Sequence, residues 1–278
     1  MTSIERSFPR ARKSLGQNFL ASPAVAGRIV SALGPAAGEL VLEIGPGHGA
    51  LTAPLAATGA RVAAFEIDET LAGRLRETYA AEPRVEIVRA DIRGVDLDAE
   101  AAARGFAAFK LAGNIPYRLT STILIDLVRW RSLAAAALMV QREVGERILA
   151  APGTRACGIL SIFLRSYFTI ERVMTVRPGS FTPPPKVMSV VLGFTPAVQE
   201  RAPRDRLDFL AFLKTGFAHR RKKLRGAADA LAGGRAPALG DLAALTGIDF
   251  DARPEQLALE RWFALYTALR RPAGGGGA

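Results

Sequence analysis

The chain has 278 residues, 49% of them hydrophobic and 23% charged, with a formal net charge of +11. That length holds one sizeable core with room for a small second one, which excludes a large multidomain machine, and the balance of apolar and charged residues excludes global disorder. The positive excess favours an extended polyanion as partner, nucleic acid ahead of an anionic membrane surface, because each phosphate neutralised by Lys or Arg releases condensed counterions; an Arg- and Ala-rich genome would leave the same bias.

The opening segment MTSIERSFPRARKSLGQNF lacks the apolar centre of a signal peptide, and no apolar run approaches ~20 residues, so a cytoplasmic protein that neither spans a membrane nor is secreted is expected. The single Cys157 cannot form an internal disulfide, and no His/Cys cluster has metal-ligand spacing, which fits a reducing compartment and no metal. Residues 25–33 read as a helix. From Leu40 onward, short apolar runs alternate with longer helical patterns: VLEI, VAAFEI, VEIV, KLAG and ALMV, with TSTILIDLVRW helical between the last two. That rhythm predicts βαβ units around a parallel sheet, a Rossmann-like α/β domain. FTIERVMTV and VMSVVLGF then read as two strands joined by the stiff, Pro-rich RPGSFTPPPK. After Phe194 the pattern breaks in TPAVQERAPRDR, and LDFLAFLKTGF, AADALAG, LGDLAALTG and PEQLALERWFALYTALR read as helices. The expected organisation is a front domain over 1–198, a small all-helical domain over 199–271 and a disordered Gly-rich tail over 272–278. There is no internal repeat.

VLEI runs into Gly45-Pro46-Gly47-His48-Gly49, where glycines let the backbone approach a ligand that any side chain would meet. Glycines close ordinary turns as well. Glu66 ends the next strand-like run about 20 residues on, placed to accept from both ribose hydroxyls of a nucleoside; a solvated strand-end carboxylate is the plain alternative. Asp91, after VEIVRA, suits either an adenine amine or a helix N-cap. These features leave NAD and S-adenosylmethionine both open. The G-x-G-x-G spacing departs from the G-x-G-x-x-G that presents a helix N-terminus to a pyrophosphate, which favours S-adenosylmethionine.

Asn114-Ile115-Pro116-Tyr117 follows the fourth strand-like run, where strand ends open into the cleft of a doubly wound sheet. An adenine amine is a poor nucleophile because its lone pair is delocalised into the ring. Two acceptors aimed at its hydrogens, the Asn114 side-chain carbonyl and the Ile115 or Pro116 backbone carbonyl, favour the pyramidal nitrogen that attacks a sulfonium methyl. Tyr117 stacks on a base drawn from its neighbours, and no strong general base is needed. A plain turn with Pro at its second position is the alternative, weakened by the location after strand four. Phe181, in FTPPPKV, is a candidate for the other face of the base or a core residue beside a Pro-rich turn.

Assembled, these residues resemble the bacterial small-subunit (16S) ribosomal RNA adenine N6,N6-dimethyltransferase family, the enzymes linked to kasugamycin sensitivity. The likeness runs nearly end to end: Gln17-Asn18-Phe19-Leu20, VLEIGPGHGALT, Glu66 in FEID, Ala90-Asp91, GNIPY, QREVGERI, the F-x-P-x-P-x-V of residues 181–187, GFAHRRKKLR and GIDFDARPEQLALERWFAL. GNIPY alone also suits the related erythromycin-resistance enzymes. The resemblance implies a class I methyltransferase sheet in which Asn18, Leu20, Gly45, Glu66, Asp91 and Asn114 contact S-adenosylmethionine; Gly47 is added as a cofactor-binding candidate from the glycine turn itself. It implies that Asn114, Pro116, Tyr117 and Phe181 form the adenine pocket. It also implies dimethylation of two adjacent adenosines in the hairpin loop near the 3′ end of small-subunit RNA, on a pre-small ribosomal subunit. A monomer is the default expectation. Two positions depart from the family: Cys157 stands where an aromatic is usual before G-x-L-S, and Lys223 where Thr is usual.

Arg220, Arg221, Lys222, Lys223 and Arg225 form the densest basic cluster and are expected to contact phosphates, with Arg142 and Arg147 extending the track; a solvated helix face is the alternative. A large-subunit RNA methyltransferase would share the front domain but not RRKKLR and R-P-E-x-L. A DNA adenine methyltransferase should carry a sequence-reading domain larger than this rear one. A noncatalytic RNA-binding assembly factor retaining a methyltransferase shell is the competitor from a different class.

Overall fold

The computed structural model describes residues 17–197, 202–219, 222–234 and 238–270. Arg220, Arg221, the junction expected at 198/199 and the tail 272–278 lie outside the described residues. The described residues form two compact units, 17–145 with Thr169–Pro196 and Glu146–Phe168 with 197–270.

The first unit alternates strand and helix as the periodicity requires. In chain order it contains β1 (Phe19–Leu20), α1 (Pro23–Leu33), β2 (Leu40–Ile44), α2 (Thr52–Ala57), β3 (Arg61–Glu66), α3 (Glu69–Thr78), β4 (Val85–Arg89), α4 (Leu97–Ala103), β5 (Phe109–Asn114), α5 (Thr120–Arg129) and β6 (Leu133–Gln141). After the excursion into the second unit come β7 (Phe168–Val176), β8 (Phe181–Thr182) and β9 (Ser189–Pro196). Seven strands make one sheet in the order β4-β3-β2-β5-β6-β9-β7. The pairs from β4 through β6 are parallel, and β6 with β9 is antiparallel. Every residue of β2 is buried, as expected for a parallel strand covered on both faces.

Local signals set the ends. Pro23 opens α1, Ser22 accepts from the Val25 N–H at 3.4 Å, and Gly34 (φ 56°) closes the helix with its N–H on Val30 O at 2.9 Å. Asp68 caps α3 by accepting from Thr70 and Leu71, so the chain leaves β3 directly into a helix. The strand order reverses between β2 and β5, and there the C-terminal strand ends diverge into a crevice. Ile44 pairs with Gly113, which brings the glycine turn and Asn114 to one end of the sheet.

The Pro-rich segment expected as a plain loop holds more structure: a 3-10 turn over Pro178–Ser180, then β8, whose Phe181 and Thr182 pair antiparallel with Leu20 and Phe19 of β1. Two-residue strands have no period to read.

The second unit contains the end of α6 (Arg142–Leu149), then α7 (Ile159–Arg165), α8 (Arg206–Phe217), α9 (Ala228–Leu231), α10 (Leu239–Thr246) and α11 (Leu259–Arg270). Trp262 is its fully buried anchor, stacked on Phe217 at 5.4 Å; a Cβ on Gly216 would lie 2.6 Å from the indole. The rear helices are there as the sequence indicates, but this unit also takes in Glu146–Phe168, which the sequence reading placed in the front domain. The cause is packing: α7 lies on α8, the Tyr167 hydroxyl donates to Pro203 O at 2.9 Å, and the Arg206 guanidinium sits 4.9 Å over the Tyr167 ring. Cys157 is buried here. Among the described residues no helix is long and apolar enough to cross a membrane.

Candidate active site

A cleft of about 800 Å³, its open mouth included, lies at the strand-order reversal of the first unit. Asn18, Gly45, Gly47, Glu66, Asp91, Asn114, Pro116 and Tyr117, all named from sequence, line it together.

Its floor is the turn after β2. Gly45 (φ 66°) and Gly47 (φ 57°) adopt the left-handed region, and a Cβ on Gly47 would lie 2.7 Å from Phe19 Cδ1. A side chain there would collide, so the cradle depends on glycine. Phe19 in turn stacks on His48 at 3.8 Å, closing the turn from above. Glu66, 5% exposed, is held by two backbone donors, Gly47 N–H on Oε2 at 3.2 Å and Asp68 N–H on Oε1 at 2.9 Å. Burial raises its pKa, and those N–H groups oppose the shift.

Asp91 lines the cleft and caps the 3-10 turn Ile92–Gly94, accepting from Arg93 N–H at 3.1 Å, which is the N-cap role. The Arg93 guanidinium grips the same carboxylate, Nε at 3.0 Å from both oxygens and Nη2 at 2.5 Å from Oδ2, and this pairing keeps the Asp91 pKa below its usual range. Asn114 Nδ2 donates to Asn18 O at 2.9 Å, which commits the donor end of the amide and leaves Oδ1 as its acceptor end. Pro116 O accepts from Leu119 N–H at 2.8 Å, and the Tyr117 hydroxyl shares a 3.2 Å hydrogen bond with Ser189 of β9.

Two residues named from sequence are elsewhere. Phe181 is 4% exposed and Leu20 is buried; both belong to the core cluster with Val25 and Ile29 and are not part of the cleft wall. For Phe181 the core alternative is the one seen, because pairing with Leu20 turns the ring inward.

In the rear cluster, Lys222, Lys223 and Arg225 are exposed, and Lys223 Nζ (2.9 Å) and Arg225 Nη1 (3.0 Å) converge on Asp251. Sequence reading passed over Glu43, Ile67, Ile92 and Arg118. Ile67, 40% exposed, and Ile92 give the cleft apolar walls, and each directly follows or precedes a residue that was singled out for its charge. Apolar residues at strand ends carry no polar signal to single them out.

The family profile of ribosomal RNA adenine dimethylases matches residues 9–270. "Ribosomal RNA small subunit methyltransferase A" of Geobacter metallireducens is 41% identical over 266 residues, covering 94% of this chain and 96% of the relative. The protein of the same name from Acidobacterium capsulatum is 39% identical over 262 residues, covering 93% and 91%. Among solved structures, a dimethyladenosine transferase from Plasmodium falciparum shares the fold with a TM-score of 0.73 at 24% identity, over 89% of this chain and 95% of that one. The 23S rRNA methyltransferase ErmE does so with a TM-score of 0.68 at 24% identity, over 91% and 99%.

Proposed function

The chain belongs to the ribosomal RNA adenine dimethylase family, and on that premise we propose how its cleft performs the reaction. The protein is an enzyme, a 16S ribosomal RNA adenine N6,N6-dimethyltransferase of small-subunit RNA. We read its targets as two adjacent adenosines in the 3′-terminal hairpin loop, modified on a pre-small subunit in the cytoplasm by a monomer.

We assign S-adenosylmethionine as the methyl donor. The glycine cradle that a Cβ would fill, the buried Glu66 carboxylate and the apolar flanks Ile67 and Ile92 fit a nucleoside with a short charged tail. Gly45 and Gly47 would let the tail approach the backbone, Glu66 would accept from the ribose hydroxyls, and Asp91 would accept from the adenine amine. Bound there, the donor supplies an electrophilic sulfonium methyl.

The observation that carries the target site is the Asn114 amide, held by Asn18 on the same cleft wall as the glycine cradle. Its Oδ1 accepts from one hydrogen of the target N6. Pro116 O already closes a turn, so the Ile115 carbonyl is the better second acceptor. Together they draw the lone pair out of conjugation, at a site where preorganised acceptors cost no reorganisation. Tyr117, tethered to Ser189, stacks on the extruded base. Phe181 is read as holding β1, and so Asn18 and Phe19, in place. The exposed cations near Lys222 are read as phosphate contacts.

The test is methyl transfer from labelled donor to undermethylated small subunits and, in parallel, large subunits, comparing wild type with Asn114→Ala and mapping the product nucleosides. Dimethyladenosine confined to small-subunit RNA, with a rate loss of at least ~100-fold in the variant, is expected. Full labelling by Asn114→Ala would refute the residue assignment.

A further inference from the structure

The cleft lining includes an arginine to which donor binding and adenine activation assign no part. Arg118 is exposed, follows Tyr117 directly and lines the same cleft as Asn114. Asp91, on the same cleft lining, is engaged by Arg93 through both carboxylate oxygens, so those two charges offset one another. Arg118 acts on that pair at longer range, its charge adding to Arg93's in holding the Asp91 carboxyl down. Glu66 is buried and held by backbone N–H groups. Arg118 thus presents a guanidinium at the cleft beside the residue read as stacking on the base.

An adenosine that leaves its stack to reach Asn114 brings its flanking phosphates to the cleft opening, because the sugar and backbone stay outside a pocket that admits only the base. A diester oxygen there gains most from a guanidinium, which offers paired N–H donors. We propose that Arg118 binds the RNA backbone phosphate adjoining the target adenosine, a substrate contact in the catalytic unit that fixes the nucleotide while Tyr117 takes the base. The contact reads no sequence, so it affects affinity for any RNA presented to the cleft.

This inference rests on reading the cleft as the adenine site, and its test separates the two. Arg118→Ala and Arg118→Lys are compared with wild type on undermethylated small subunits at several salt concentrations, with S-adenosylhomocysteine affinity measured separately. For Arg118→Ala a rise of about tenfold in KM for the subunit is expected, with the effect carried by KM rather than kcat. The log–log salt slope should flatten by about 0.7, the contribution of one phosphate contact on a single strand. Arg118→Lys should restore most of the slope, and S-adenosylhomocysteine affinity should be the same in all three proteins. An unchanged KM and salt slope for Arg118→Ala would overturn the proposal. So would a loss confined to kcat or to S-adenosylhomocysteine affinity, which would put Arg118 at the base or the donor. If wild type leaves small-subunit RNA unlabelled, or Asn114→Ala labels it fully, the underlying reading of the cleft fails instead.

Discussion

Glu43 sits on β2 two residues before the glycine turn, 1% exposed, with the Thr52 hydroxyl donating to Oε2 at 2.7 Å. Burial pushes its carboxyl up to about 8; the Thr52 hydrogen bond opposes that shift, and the nearby Glu66 adds to it. The folded protein therefore holds this proton where the unfolded chain, with an ordinary carboxyl pKa near 4.5, has released it. The unfolded state binds fewer protons between those values, so Glu43 contributes stability below pH ~4.5 that is lost as pH rises through about 8. Glu43→Gln preserves the shape and an acceptor for Thr52 while removing the titration. Denaturant midpoints taken from pH 5 to 9 should show the variant overtaking wild type toward the alkaline end, with the mid-range slope reduced. Parallel curves for the two proteins would mean that Glu43 is ionised in the fold.

At the level of elements, the sheet was legible because parallel strands buried on both faces write themselves as unbroken apolar runs. VLEI, VAAFEI, VEIV, KLAG and ALMV all lie within or overlap observed strands, and the site residues Gly45, Glu66, Asp91 and Asn114 follow from being at their ends. The β1–β8 pair was not legible, since two residues show no alternation and its partners lie far apart in sequence. Nor was the transfer of Glu146–Phe168 to the helical unit, which depends on contacts such as Tyr167 with Pro203 rather than on any local signal. Phe181 shows the consequence. Its place beside a Pro-rich turn suggested an aromatic wall for the base, whereas its strand pairing sets it in the core with Leu20. Phe181→Leu should then cost about 1 kcal/mol of stability through imperfect repacking, seen as a lowered Tm. Well below that Tm, kcat should be retained. A large loss of kcat with an unchanged Tm would return Phe181 to the base-stacking role.

For the whole molecule the relevant quantity is the +11 net charge and where it can meet phosphate. The basic run near the end of α8 carries the densest positive charge in the sequence, but its members are not equivalent. Lys223 and Arg225 share the carboxylate of Asp251, whose pKa is lowered chiefly by the Lys223 hydrogen bond. Two cations on one anion leave a single net charge, so part of the cluster is already offset before RNA arrives. A cation that must leave a carboxylate to reach a phosphate gains only the difference between two ion pairs, and for exposed pairs that difference is small. Removing both Arg221 and Lys222 charges should weaken small-subunit RNA binding and flatten its salt dependence more than removing both Lys223 and Arg225 charges. Asp251→Asn should do the reverse, releasing both partners and giving tighter binding with a steeper salt slope. Filter binding or fluorescence anisotropy over a range of potassium chloride concentrations reads all three. Equal slopes across these variants would place the RNA contacts elsewhere on the molecule, and a weaker Asp251→Asn complex would mean that Asp251 holds the two cations in their binding geometry instead of competing for them.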